Sequence, residues 1–238
     1  MVPERSDRRW LYILPDLLIA AILLMGAAGG LRIVFDLSAA VPIVAMLVLI
    51  ALGTVLWRHQ GFRPFTPADR VTLGRAVLVM LLIALLPAAS GLPAQSGIVF
   101  ALGLVAVLLD GVDGAVARRW RCETVEGARF DMELDALLLL VLCGWLVVME
   151  RAGLWVLAIG GWRYAYVLAG WWWPALRMPL APSQRRRVIC AVQGMGLVVC
   201  LAPGLPATLT APLALGLLIL LSYSFIVDIA AAFQSASP

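Results

Sequence analysis

Lysine is absent from the chain, and histidine occurs once, at His59. All 18 basic residues are arginines, and charged residues of both signs make up 13% of the sequence, against about 25% in an ordinary soluble domain. No long polar stretch remains from which a separate water-soluble domain could be built. The four cysteines, Cys122, Cys143, Cys190 and Cys200, form no C-x-x-C pair and have no histidine beside them. A zinc site or disulfide framework therefore finds no support, and Cys143, Cys190 and Cys200 read as small apolar residues in helices. The alternating segments of roughly ten residues that a membrane β-barrel requires are missing, as is any tandem repeat. The arginines lie in short clusters between apolar runs rather than on one broad basic face with interleaved aromatics, which speaks against nucleic acid as a partner.

What is present is apolar: 63% of the 238 residues are hydrophobic and the mean hydropathy is +0.99. A soluble domain holds about 45–50%, and a surplus of this size cannot all be hidden from water in a chain this long. The composition implies an integral membrane protein embedded in the lipid bilayer. Backbone polar groups cannot face lipid unpaired, so the expected class is all-α, a polytopic bundle of membrane helices.

A spanning helix needs roughly 17–25 mostly apolar residues. Eight segments qualify as candidates: 11–34, 40–57, 70–90, 96–118, 130–150, 153–173, 187–203 and 208–233. Proline- and glycine-bearing breaks separate several of them, at 87–93, 174–182 and 203–206. The polar start with Arg5, Arg8 and Arg9 resembles the head of a signal peptide. The apolar run that follows continues to about Phe35 and has no clear Ala-x-Ala exit, so it reads as a retained helix. A polar, aromatic and proline-bearing stretch around 58–68 marks a soft boundary. Residues 1–65 form an N-terminal segment, a two-helix transmembrane extension and a linker; residues 66–238 form a six-helix core. Gly26 and Gly30 make a G-x-x-x-G in the first helix, a packing seam through which a homodimer could form.

Placing the N-terminus in the cytoplasm puts 15 of the 18 arginines on that side. Arg32 and Arg151 fall outside and Arg163 lies within a span. The excess of basic residues on cytoplasmic loops is then met throughout, and eight spans return the C-terminus to the cytoplasm.

The informative stretch is residues 110–135. Asp110, Asp113, Asp131 and Asp135 sit at the cytoplasmic edges of two consecutive apolar helices, where ionisable groups are expensive and mark function by default. Asp110, Asp113, Gly114, Ala117 and Arg118 share one helical face by spacing, and Gly127, Asp131 and Asp135 share another. An antiparallel hairpin would turn the faces together, and four converging carboxylates need cations among them. Oxygen donors suit hard cations such as Mg²⁺ or Mn²⁺. Gly114, Ala117 and Gly127 keep both faces free of bulk, and Arg118 offers a planar fork of donors for phosphate. The competing reading is a solvated loop in which the aspartates pair with Arg118, Arg119, Arg121 and Arg129. That reading leaves the small residues on the same faces unexplained.

The run Asp110-x2-Asp113-Gly114-x2-Ala117-Arg118-x8-Gly127-x3-Asp131-x3-Asp135 resembles, without a gap, the signature of the CDP-alcohol phosphatidyltransferases (CDP-alcohol phosphotransferases). The six-helix unit has the size of that family's membrane core. The resemblance implies that Asp110, Asp113, Asp131 and Asp135 hold one or two divalent cations, Mg²⁺ or Mn²⁺. Asp135 would also be the general base toward the acceptor hydroxyl. Gly114, Arg118 and Thr124 would contact the CDP group, with Ala117 and Gly127 leaving it room. A second family element, commonly Pro-Asn-x-x-Thr-x-x-Arg, is similar to residues 68–75 here. Thr72 and Arg75 match it, while Ala68 stands for the proline and Asp69 for the asparagine; nucleotide contacts would then involve Asp69 and Thr72.

The implied activity is transfer of a phosphatidyl-type group from a CDP-linked lipid to a small or lipid alcohol, releasing CMP, in phospholipid biosynthesis. The implied location is the bacterial cytoplasmic membrane with the active site on the cytoplasmic face. Membrane prenyltransferases also carry Asp-rich helices, but their second Asp-rich motif is missing: after Asp135 the acids are Glu150 and Asp228. A non-catalytic membrane protein that keeps the site for binding nucleotide and metal, or as a scaffold, is the alternative from another class.

Arg177, Arg185, Arg186 and Arg187 lie on the same side as the aspartates. They read as anchors to anionic headgroups or as a phosphate site for an anionic acceptor, with Arg163 contributing. Trp171, Trp172 and Trp173 read as an interfacial belt. Glu133 points off the Asp131/Asp135 face, and His59 reads as a solvated loop residue. Asp16 and Asp228 receive no role from the sequence.

Overall fold

The computed structural model describes residues 13–59, 65–92, 97–120, 124–173 and 183–236. Among them every regular element is helical. The eight α-helices are α1 (Leu14–Phe35), α2 (Ala40–His59), α3 (Pro67–Leu85), α4 (Ile98–Trp120), α5 (Val125–Val148), α6 (Leu157–Trp172), α7 (Gln184–Cys200) and α8 (Ala207–Ala236). Short 3-10 turns follow α3 (Leu86–Gly91) and precede α6 (Leu154–Val156).

Each of the eight apolar segments falls on one helix, yet four of the described stretches are long and apolar enough to cross a membrane. These are Leu14–Phe35, Pro67–Gly91, Ile98–Val116 and Ala207–Ala232. The others fall short for definable reasons. The apolar part of α2 is a shorter stretch, Ala40–Val55. In α5 the first three turns carry Glu126, Arg129, Asp131, Glu133 and Asp135, so its apolar run begins only at Ala136. The helices α6 and α7 have 16 and 17 residues.

The chain divides into two compact units at Asp135. In the first, α3 is the central element, with α1, α2 and α4 all packed against it. Thirteen of its 19 residues are buried, whereas α1 buries only Ala20, Leu24 and Ala28 and turns Ile22 and Leu23 outward. Those three residues step by four, so they form a single stripe. Asp16 extends the stripe by one more turn, and its carboxylate lies 3.0 Å from Arg70 Nε on α3. The acid left without a role by the sequence thus ties the first turn of α1 to the first turn of α3.

The start of α3 is fixed locally. Thr66 Oγ1 accepts the Asp69 N–H at 3.2 Å, and Asp69 Oδ2 accepts the Thr66 N–H at 2.8 Å. This reciprocal cap, with Pro67 in the first turn, satisfies two otherwise orphan donors.

In the second unit α8 packs against both α6 and α7. At Gly160 a Cβ would run into the backbone of Leu140, so glycine is what lets α6 approach the apolar end of α5. Trp162 Nε1 donates to Ser222 Oγ at 3.0 Å, and the Trp162 ring stacks on Phe225 with centroids 5.4 Å apart. Arg151, which the topology expected from the sequence leaves outside the basic clusters, donates from one nitrogen to the carbonyls of Cys200 (3.0 Å) and Ala202 (2.8 Å). It caps the C-terminal end of α7, where a cation also complements the helix dipole. Trp171, Trp172 and Trp173 are exposed at the end of α6.

Candidate functional site

The C-terminal turns of α4, the first turns of α5 and the middle of α3 build one cluster inside the first unit. Asp131 and Asp135 are one helical turn apart on α5 and share a face. Thr124 starts that helix: its Oγ1 accepts the Gly127 N–H at 3.1 Å, the N-cap arrangement that fixes where the first turn begins. The start of α5 in turn decides which face Asp131 and Asp135 occupy. Asp110 comes from α4. One carboxylate oxygen from each of the three acids lies within 4.8 Å of the others, and all three side chains are half-buried.

The guanidinium of Arg75 reaches into this cluster from α3 with its side chain fully buried. Nη1 donates to Asp110 Oδ1 and Nη2 to Asp131 Oδ1, while Nη1 also lies 2.9 Å from Asp135 Oδ1. Three carboxylates against one guanidinium leave a surplus of two negative charges. The donors are all hard oxygens in a partly desolvated place, so the residues present fit a divalent cation of the Mg²⁺ or Mn²⁺ type. The solvated-loop reading paired these acids with Arg118, Arg119, Arg121 and Arg129; among the described residues their observed partner is instead Arg75 on α3, while Arg121 and the Arg118 side chain lie outside the described residues. Arg119 and Arg129 are exposed, and the cation that holds these acids comes from a different helix.

Gly114 and Gly127 lie half-buried on α4 and α5. Asp113, Ala117 and Arg118 follow on α4, but their side chains lie outside the described residues, as do Arg121, Cys122 and Arg177 altogether. Asp69 and Thr72 are buried on α3, Asp69 within the helix cap and Thr72 with its hydroxyl donating to the Ala68 carbonyl at 3.1 Å. Glu133 is exposed and stands apart from the carboxylate cluster. Within this cluster, Arg75 is the residue to which sequence reasoning gave no role beyond its match to the second family element. A signal was there to be read, because an arginine in the middle of an apolar helix must find partners.

A family model for CDP-alcohol phosphatidyltransferases matches residues 65–232. The chain belongs to that family. The matched segment of this CDP-alcohol phosphatidyltransferase contains Asp69, Thr72, Arg75 and the whole run from Asp110 to Asp135, and leaves α1 and α2 outside it. No curated protein and no solved structure matches the chain.

Proposed function

We propose that this protein transfers a phosphatidyl-type substituted phosphoryl group from a CDP-linked lipid, CDP-diacylglycerol in the simplest case, to an acceptor alcohol, releasing CMP. The observation that carries the reading is the convergence of Asp110, Asp131 and Asp135 within a segment matched to this family. Asp113, one turn from Asp110 on α4, completes the acid set. These four side chains would hold one or two divalent cations, which when bound neutralise the diphosphate and the developing charge on the departing CMP phosphate.

Asp135 serves as the proton acceptor. The acceptor oxygen bonds to the lipid-bearing phosphorus, the bond from that phosphorus to the CMP oxygen breaks, and the hydroxyl proton passes to the Asp135 carboxylate. Gly114, Ala117 and Gly127 leave space for the CDP group, Arg118 and Thr124 contact it, and Asp69 and Thr72 face the nucleotide from α3. The core is the six-helix unit 66–238, with the site at the cytoplasmic membrane surface. There a water-soluble acceptor meets a donor whose acyl chains stay in the bilayer. Arg177, Arg185, Arg186 and Arg187 favour a phosphorylated acceptor or anionic headgroups on that side.

Purified protein should release CMP from CDP-diacylglycerol only with Mg²⁺ or Mn²⁺ and a suitable alcohol. Mass spectrometry of the lipid product across an acceptor panel names the acceptor. No CMP release with either metal and the full panel, alongside intact CMP binding, would replace the enzyme with a nucleotide-binding membrane protein.

A further inference from the structure

We propose that Arg75 is the resident counter-cation of the carboxylate cluster, a positioning residue that opposes the divalent metal electrostatically while holding its ligands together. The inference rests on the reading above that Asp110, Asp131 and Asp135 are metal ligands. A fully buried guanidinium touches one oxygen of each acid and so draws α4 and α5 onto α3. Three carboxylates with oxygens this close repel one another strongly at the reduced dielectric of a half-buried site. Without a metal, Arg75 supplies the only positive charge seen in contact with all three among the described residues, and this lets the unit stay assembled.

The same charge has the opposite effect on the metal. A dication entering the cluster meets a guanidinium already hydrogen-bonded to its ligands, and at a few ångströms their repulsion offsets part of the attraction of the acids. Arg75 thereby sets two quantities in opposite directions. It raises the stability of the metal-free protein and lowers the affinity of the site for metal, so that binding stays reversible. A residue with only a structural role would lower stability with and without metal alike, and would not sharpen metal binding when removed.

The test is a Mn²⁺ titration of the full-length protein in detergent, followed by the electron paramagnetic resonance of free Mn²⁺, with melting curves taken with and without Mn²⁺. Arg75→Gln should bind Mn²⁺ on the order of tenfold more tightly than the unmodified protein. It should also melt lower without metal and gain more in melting temperature when Mn²⁺ is added. Arg75→Lys keeps a point charge but cannot bridge three acids, and should fall between the two. Binding in Arg75→Gln equal to or weaker than the unmodified protein, with melting lowered equally in both conditions, would overturn the proposal. Should Arg75→Gln yield no folded protein, Arg75→Lys decides alone, and an affinity at or below that of the unmodified protein overturns it. An unmodified protein that takes up no Mn²⁺ would instead bring down the metal reading itself, and the proposal with it.

Discussion

Arg75 and Arg185 are both arginines of a largely apolar chain that find acids on another helix, but they leave opposite balances. Arg75 is fully buried and faces three aspartates, so its surroundings keep a surplus of negative charge. Arg185 on α7 is 29% exposed and pairs with one acid, Asp228 on α8, itself 14% exposed. Arg186 and Arg187 follow directly in the sequence, so the formal charge of residues 185–187 together with Asp228 is positive. The first arrangement suits a divalent cation, and the second suits an anionic headgroup or phosphate. Under the proposed function, a diphosphate-bearing lipid donor would use the first and a phosphorylated acceptor would use the second. The difference also sets the energetic stakes. Stripping one partner from the cluster around a fully buried guanidinium costs about 3–5 kcal/mol, while the single Arg185–Asp228 pair, mostly but not fully buried, is expected to cost less.

The comparison breaks most visibly at the acids. Asp131→Asn or Asp110→Asn leaves Arg75 with two carboxylates, enough to keep the helices together, but removes one ligand charge from the cluster. Mn²⁺ binding should be lost in calorimetry, and CMP release should fall by more than the roughly 10²–10⁴-fold attached to general base catalysis. Retained Mn²⁺ stoichiometry would mean that Arg75 alone satisfies these acids and that the cluster is a structural knot.

A smaller and more selective loss is expected at Asp135. If it acts mainly as the base, Asp135→Asn should bind metal and CDP-lipid close to normally while turnover drops by about 10²–10⁴-fold. If it acts mainly as a ligand, metal affinity should fall and added metal should recover part of the rate. Near-normal turnover at ordinary metal concentration would remove both roles and move the proton acceptor elsewhere.

How far the sequence carries this picture depends on the range of each interaction. The helices were legible because apolar runs and Pro/Gly breaks are local signals, and all eight expected segments contain one. The shared face of Asp131 and Asp135 was legible because a spacing of four needs only helical geometry. The Arg75 partners were not, since they lie 35, 56 and 60 residues away and nothing local announces which acid an arginine will meet. Asp16 shows the same gap: its place on the stripe of Ala20, Leu24 and Ala28 is readable from α1 alone, but Arg70 as its partner is not. The cap at Thr66 and Asp69 is local and was readable in principle. The family pattern implies Asp69 as a nucleotide neighbour, and the cap adds a local role for the same carboxylate. The span count parted from expectation at α5, where the acids that make the site also shorten the apolar run.

The smallest effect belongs to the second cluster, and it sharpens what that cluster is for. Arg185→Ala removes one positive charge and leaves Asp228, whose side chain is 14% exposed, without that partner, so the melting temperature should fall, but by less than in Arg75→Gln. A double-mutant cycle with Asp228→Asn should return a smaller coupling than a cycle of Arg75→Gln with Asp131→Asn. Mn²⁺ affinity should stay at the unmodified value, because the carboxylate cluster keeps its own arginine. Activity is where the two uses of the site separate. If the surplus positive charge binds a phosphorylated acceptor, Arg185→Ala should raise KM for that acceptor several-fold with kcat little changed, since a uniform binding contact has been removed. Asp228→Asn should shift KM the other way, because it takes away the acid that competes with the acceptor phosphate for Arg185. An acceptor KM that moves with neither variant would reduce the pair to a tie between α7 and α8, and the selection of an anionic acceptor would have to come from other residues.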